Sequence, residues 1–261
     1  MYDRKTYEVF MRFDIVTLFP EIVGPPLNQS ILKNAQLSGL INIFIHQLRD
    51  WAKGKHNTVD DSPFGGGPGM VMKPEPIFDA VEEIQKFDET KAHVVLMSPQ
   101  GDRLNNALLT KLLKFERLLI ICGRYEGVDE RVREMIVDQE VCVGDVVVSG
   151  GEFPALMLVD ALSRRIPGVL GADDALEEES FESGLLEYPQ YTRPAEFQGH
   201  LVPEILRSGN HAEIERWRRI QQIYRTHVRR PDLLSDAQLS ESEEEWLENQ
   251  KIDNKRGFNL E

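Results

Sequence analysis

Unbroken apolar runs closed by glycine-bearing loops dominate the hydrophobic pattern. Val94–Met97 leads into Ser98-Pro99-Gln100-Gly101, and Leu118–Cys122 into Gly123-Arg124-Tyr125-Glu126-Gly127. Val141–Val148, with Gly144 and Asp145 inside it, leads into Ser149-Gly150-Gly151. Such runs, bounded by turn residues, predict strands buried on both faces. An earlier apolar pattern, Phe13-Asp14-Ile15-Val16-Thr17-Leu18-Phe19, starts just after Met11 and predicts a first strand. Helical spacing predicts helices over Glu75–Phe87, Asn105–Leu113, Asp129–Met135 and Phe153–Arg164, the last with Pro154 in its first turn. Strands alternating with helices over residues 11–171 predict an α/β domain, a mostly parallel sheet with helices on both faces.

After Ile166-Pro167-Gly168 the pattern changes. Residues 172–198 read as an acidic interdomain linker, with seven acids and no base between Asp173 and Glu187. Residues 199–261 read as a small all-helical C-terminal domain with an acidic tail. Its helices are expected over Pro203–Ser208, Ala212–Thr226 and Asp236–Leu247, with Trp217, Ile220 and Tyr224 on one face and Trp217 in the core. Residues 1–10 are charged, lack the apolar stretch of a secretory signal and read as an N-terminal extension. No segment reads as membrane-spanning, since Asp145 and Glu152 interrupt the longest apolar stretch. The expected location is cytoplasmic. Cys122 and Cys142 lie inside apolar runs and are expected to be reduced, buried thiols. The histidines and cysteines show no metal-ligand spacing, so no metal site is expected.

A net charge of −14 argues against a nucleic-acid partner until its distribution is considered. Arginines 207, 216, 218, 219, 225, 229 and 230 face only Glu213 and Glu215, which leaves a local basic segment able to meet phosphates. Loops that cluster beyond the ends of parallel strands are where open α/β sheets hold ligands. Neither G-x-G-x-x-G after a strand nor a P-loop motif is present, so a nucleotide-like ligand would be held by other means. The loop from Lys55 to Met70, with four glycines in Gly65–Gly69, can present backbone N–H groups or permit close approach.

Several blocks together carry a resemblance. They are Asp14–Pro20, Lys55–Met70, Leu96–Gly101, Gly123–Gly127, Gly144–Gly151, Ile166–Gly171, Gly184-Leu185-Leu186 and Tyr191-Thr192-Arg193-Pro194, followed by the arginine-rich segment. In this order the chain resembles the bacterial tRNA (guanine-N1-)-methyltransferases, a branch of the trefoil-knot (SPOUT) methyltransferases. The resemblance implies a deep trefoil knot, which no spacing argument predicts. It implies S-adenosyl-L-methionine as cofactor, bracketed by Leu96, Ser98, Pro99, Gly123, Tyr125, Glu126, Gly127, Val143, Gly144, Asp145, Val146, Val147, Val148, Gly150, Gly151 and Pro154. Many relatives carry Tyr and Leu where this chain has Val146 and Val148. The implied reaction methylates N1 of the guanosine 3′-adjacent to the tRNA anticodon (position 37). Glu179 is the implied base, where the family usually has Asp, and Arg164 the implied electrophilic partner. Substrate contacts are implied at Asp60, Gly69, Arg124, Arg193, Arg216, Arg218 and Arg219. The implied partners are tRNA and a second copy of the chain in a homodimer with shared active sites, without membrane or DNA. A role for Mg2+ is possible in this chemistry and is not legible in the residues. The competing readings are a knotted methyltransferase with another RNA target, and a non-enzymatic RNA-binding factor.

Overall fold

The computed structural model describes residues 11–54, 56–171, 179–235 and 237–255, the last six of these by backbone alone. The expected extension (1–10), Lys55, the first part of the expected linker with Glu177 and Glu178, Asp236 and the end of the tail lie outside the described residues. The chain divides into two compact units, Met1–Asp173 and Asp174–Glu261.

In the first unit the order is β1 (Met11–Thr17), α1 (Pro20–Leu27), α2 (Ser30–Leu37), β2 (Ile41–Gln47), β3 (Asp60–Asp61), β4 (Val71–Met72) and α3 (Pro74–Gln85). Then follow β5 (His93–Arg103), α4 (Asn106–Leu112), β6 (Arg117–Cys122), α5 (Glu130–Ile136), β7 (Gln139–Cys142) and α6 (Glu152–Ser163). Five strands form a wholly parallel sheet in the order β2-β1-β6-β5-β7. Side chains alternate between its faces. Leu118, Ile120 and Cys122 of β6 join one core layer with α1, α2, α4 and α6, while Leu119 and Ile121 join the other with α3 and α5. This is the α/β architecture expected from the sequence. Helix α4 starts where the Asn105 side chain accepts from the Leu108 N–H at 2.9 Å, and α5 where Asp129 accepts from the Arg131 N–H at 3.0 Å.

Three features differ from expectation. The third apolar run forms a strand only to Cys142, and Val146–Val148 are exposed. Gly144, at φ +154°, turns the chain out of the sheet. Helices α1 and α2 are not among the helices expected from the spacing; packing of Val23 and Leu27 into the core holds α1 although Gly24, Pro25 and Pro26 are poor helix formers. β5 bulges at Ser98–Gly101, so that Met97 and Asp102 both face Val141 of β7.

A charged pair lies inside the sheet. Asp14 is fully buried at a position where the period-2 pattern puts an apolar side chain. Its carboxylate accepts from Arg117 Nε at 2.9 Å and from Arg12 Nε at 2.9 Å, and meets His46 Nε2 at 2.8 Å. The Arg117 guanidinium, equally buried, also donates to the Ile84 carbonyl at 2.6 Å and the Thr90 carbonyl at 3.1 Å. It thereby caps the C-terminal end of α3. Burial alone raises the Asp14 pKa, but the bonds from His46, Arg12 and Arg117 outweigh it and hold the carboxylate below its usual range. The folded pKa is depressed, so this contribution is complete above the unfolded pKa of about 4 and is lost as pH falls through the folded value. Asp14→Ala leaves Arg117 buried without its partner and is expected to cost about 3–5 kcal/mol, read from urea unfolding at pH 7. The gap to wild type should narrow as pH falls below about 4.

The second unit contains a short hairpin of β8 (Glu196–Phe197) and β9 (His200–Leu201), then α7 (Glu204–Arg207), α8 (His211–Arg229) and α9 (Glu241–Lys255). It is therefore mainly rather than wholly helical. Its core gathers Leu185, Ile223 and Leu247. Trp217 is only half-buried, because the face of α8 that turns inward carries Ile223 and Thr226. Residues 179–187 form a tight turn on this core. The Phe181 N–H donates to the Leu185 carbonyl at 2.8 Å, and the Leu186 N–H to Thr226 Oγ1 at 2.8 Å.

Candidate functional site

The bulged first segment, Ser98–Gly101 within β5, meets the glycine-bearing loops that follow β6 and β7 around a cavity of about 220 Å3. The first segment and the strand before it supply Leu96, Ser98 and Pro99, and the second Gly123, Tyr125, Glu126 and Gly127. Val143, Val146, Val147 and Val148 form an apolar wall from the third, and Gly150, Gly151 and Pro154 close the side toward α6. Gly144 and Asp145 do not line the cavity. They belong to the turn closed by the Val146 N–H and the Gly144 carbonyl at 2.7 Å, which carries them past it.

The backbone comes so close here that side chains are excluded. A Cβ on Gly151 would lie 2.8 Å from Cys122 Cα and 3.0 Å from the Gly123 nitrogen. A Cβ on Gly101 would fall on the Glu140–Val141 peptide. The Gly151 N–H donates to the Gly123 carbonyl at 2.8 Å, which ties the second and third loops together. Tyr125 is held at φ +59°, a left-handed conformation costing a bulky residue about 1–2 kcal/mol. Strain of that kind persists only where surrounding contacts over-determine the chain.

The glycine-rich loop is fastened to the rim. Asp60 and Asp61 pair with Met72 and Val71, and the Glu126 N–H donates to the Met70 carbonyl at 3.0 Å. Gly69, at φ +82°, packs against the Glu126 side chain where any Cβ would collide. Asp60 and Gly69 therefore belong to one structure with the Glu126 wall. Arg124 also lines the cavity.

Other predicted residues lie elsewhere. Arg164 ends α6 in the first unit, while Glu179 heads the tight turn in the second. Arg193 and Arg216 are exposed. Arg218 stacks on the Tyr188 ring, with its guanidinium carbon 4.6 Å from the ring centroid. Arg219 is bound to Glu243 of α9 at 2.7 Å and to the Gln238 carbonyl at 2.9 Å. The Arg219 guanidinium holds the Glu243 carboxyl down at about 2. Two of the three arginines expected to face phosphate are thus engaged within their own unit. Helix α9 overlaps the helix expected over Asp236–Leu247, and its partnership with α8 joins residues too far apart in sequence for periodicity to reveal.

Sequence reasoning missed Met97, Gln100, Val128, Val141, Cys142 and Ser149, which line the cavity beside predicted positions. It also missed Arg133, which reaches the cavity from α5 and is held by Glu140 of β7. Alternation along β5 and β7 could have found Met97 and Val141. Nothing in the spacing signals Arg133.

Residues 11–236 match the family described as tRNA (Guanine-1)-methyltransferase TrmD. The chain belongs to this family. A tRNA (guanine-N(1)-)-methyltransferase of Geotalea uraniireducens (strain Rf4) is 55% identical over 238 residues, covering 91% of this chain and 96% of the relative. Relatives of the same description from Dictyoglomus turgidum and Moorella thermoacetica are 53% and 51% identical, each over 91% of this chain and 96% of their own. The tRNA (guanine-N(1)-)-methyltransferase match begins at Met11, the first described residue, and takes in both units. No helix among the described residues is long and apolar enough to cross a membrane.

Proposed function

We propose that this protein transfers a methyl group from S-adenosyl-L-methionine to N1 of the guanosine 3′-adjacent to the anticodon of tRNA. The observation that carries the reading is the convergence of the three glycine-bearing segments on one cavity, in a chain of this family. The residues fit the cofactor. Leu96, Val141 and Val146–Val148 offer apolar surface to a flat ring, and close-packed loops offer backbone donors and acceptors at the edges. Glu126 adds a carboxylate for hydroxyl or ammonium groups. A binding factor alone would have no use for this cavity.

When bound, the cofactor supplies an electrophilic methyl on a sulfonium. The protein has three tasks. Guanine N1 is protonated at neutral pH, so a base must remove the proton, and Glu179 takes this role. Negative charge then grows on O6, where the Arg164 guanidinium stabilises it. The cavity and rim loop hold the reacting atoms in line, with Asp60 and Gly69 as contacts for the nucleotide beside the target. Incubating the protein with tRNA and cofactor and mapping the product nucleotide by nucleotide tests this. Methyl on N1 of that guanosine is expected, and methyl on a ribose or another base would overturn the reading.

Glu179 and Arg164 lie in different units, which suits a homodimer in which one copy's second unit serves the other copy's cavity. An exposed apolar stripe on α6 favours a second copy. Phe153 and Met157, one turn apart, are 56% and 53% exposed, and nearby in sequence Val147 is 86% exposed. For tRNA, the arginine-rich helix supplies phosphate contacts that position without choosing the base. Arg216 is the exposed member of the expected trio. Arg216→Ala should weaken tRNA binding several-fold and reduce its salt slope by about 1, with cofactor binding unchanged. Filter binding over a salt series checks this. Arg219→Ala should instead loosen α9 from α8.

A further inference from the structure

Glu152 is a fully buried carboxylate for which the mechanism above has no use. It opens α6, where an acid is ordinarily a solvent-exposed partner of the helix dipole. Here it is surrounded by two segments distant in sequence and by the Ser149-Gly150 backbone just before it. Thr17 Oγ1, at the end of β1 and also fully buried, donates to Glu152 Oε1 at 2.7 Å. The same hydroxyl accepts from the Phe19 N–H at 3.0 Å. On the other side Arg124 Nε stands 2.9 Å from Glu152 Oε2, an ion pair in which neither atom has an aligned hydrogen bond. Arg124 Nη1 reaches on to the Ser149 carbonyl at 3.0 Å, and the guanidinium lies 4.4 Å from the centroid of the Phe19 ring. Gly150 passes so close that a Cβ there would overlap both Arg124 Nε and Glu152 Oε2. Arg124 and Gly150 are also joined by a single antiparallel bridge.

The chain Thr17–Glu152–Arg124–Ser149 thus runs from the rigid sheet to the loop that forms the apolar wall of the cavity. Val146–Val148 are exposed and have little packing of their own. A buried charge that loses its partner is costly, so Arg124 is confined to one orientation. We propose that Glu152 is a positioning residue: through Arg124 it holds the Ser149 carbonyl, and with it the Val146–Gly151 wall, in the geometry that accepts the cofactor. The proposal rests on the methyltransferase reading for the identity of the ligand. It gives Arg124 an internal role, as the strut between two cavity walls, beside the substrate contact expected from the resemblance.

The test uses the full-length protein and S-adenosylhomocysteine as calorimetric probe. Glu152→Gln keeps the volume and removes the charge, and should weaken binding about tenfold. Arg124→Gln should do the same, and the double variant should bind no worse than the weaker single one, because both remove one strut. For Glu152→Gln, which lies outside the expected substrate contacts, tRNA affinity without cofactor should stay within about twofold. In the free protein, amide exchange over residues 146–151 should quicken in Glu152→Gln, while exchange in β5 and β6 should not. Additive losses in the double variant, unchanged probe affinity, or exchange quickened equally across the sheet would overturn the proposal. If Glu152→Gln fails to fold, Thr17→Val keeps the charge pair and removes the hydroxyl that donates to Glu152 and accepts from the Phe19 N–H, and is read in the same way, with smaller shifts. A wild-type protein that binds no probe would overturn the functional reading instead, and the exchange comparison would still judge the strut.

Discussion

Replacing Glu179 by Gln is expected to reduce single-turnover methyl transfer by at least about 10²-fold, with tRNA and cofactor binding nearly intact. The substitution keeps shape and removes basicity, and guanine N1 cannot act as a nucleophile while it keeps its proton. Glu179 heads a turn fixed by the Phe181–Leu185 bond and by Ser180 Oγ, which accepts from the Glu187 N–H at 2.9 Å. Its backbone is therefore tied to Leu185 in the core of the second unit. Glu179→Asp should retain substantial activity, since that is the family's usual residue. Glu177→Gln and Glu178→Gln should be close to neutral. The assignment fails if Glu179→Gln transfers at the wild-type rate, and it moves to Glu178 if that variant alone is inactive.

The parts legible in the sequence are those governed by local pattern. Leu118–Cys122 can only be a strand buried on both faces, and the glycines after it mark a turn. The apolar run from Val141 misled because apolar composition does not distinguish a core strand from a ligand-facing wall; Gly144 was the better signal. What stayed hidden depends on partners distant in the chain. Asp14 reads only as a polar interruption of the first apolar strand until Arg117, 103 residues later, neutralises it. Glu152 reads only as an interruption of the longest apolar stretch until Thr17, 135 residues earlier, and Arg124 surround it. Arg219 reads as a phosphate contact until Glu243 claims it. In each case one charge was legible and its compensation was not, because pairing is decided by tertiary packing. The roles of Glu179 and Arg164 came from the family resemblance; by composition alone the acidic run is a solvated linker.

Gly151→Ala is expected to abolish cofactor binding at any practical concentration. The new methyl would meet Cys122 Cα, the Gly123 nitrogen and Met97 Cβ, the last at 3.1 Å. Two of these are backbone atoms of a central strand and its loop, so the wall carrying Gly150 and Gly151 must retreat. Overpacking of this kind costs about 1–3 kcal/mol, which the first unit can absorb while the cavity cannot keep its shape. Calorimetry with S-adenosylhomocysteine reads the loss, and circular dichroism verifies the fold. This variant then decides between sites built within one copy and sites shared by two. Glu179→Gln lacks the base in the second unit and Gly151→Ala lacks the cavity in the first, so each alone is inactive. If one copy's second unit serves the other copy's cavity, a mixed dimer pairs an intact cavity with an intact Glu179 at one of its two sites. Random mixing then restores about a quarter of wild-type activity, since half the dimers are mixed. If cavity and base come from the same copy, every site in the mixture lacks one of them and no activity returns. Gly150→Ala, which displaces Arg124 and Glu152 side chains rather than backbone, supplies the cavity-deficient partner if Gly151→Ala fails to dimerise. An inactive mixture of folded, dimerised variants would show that the sites are not shared.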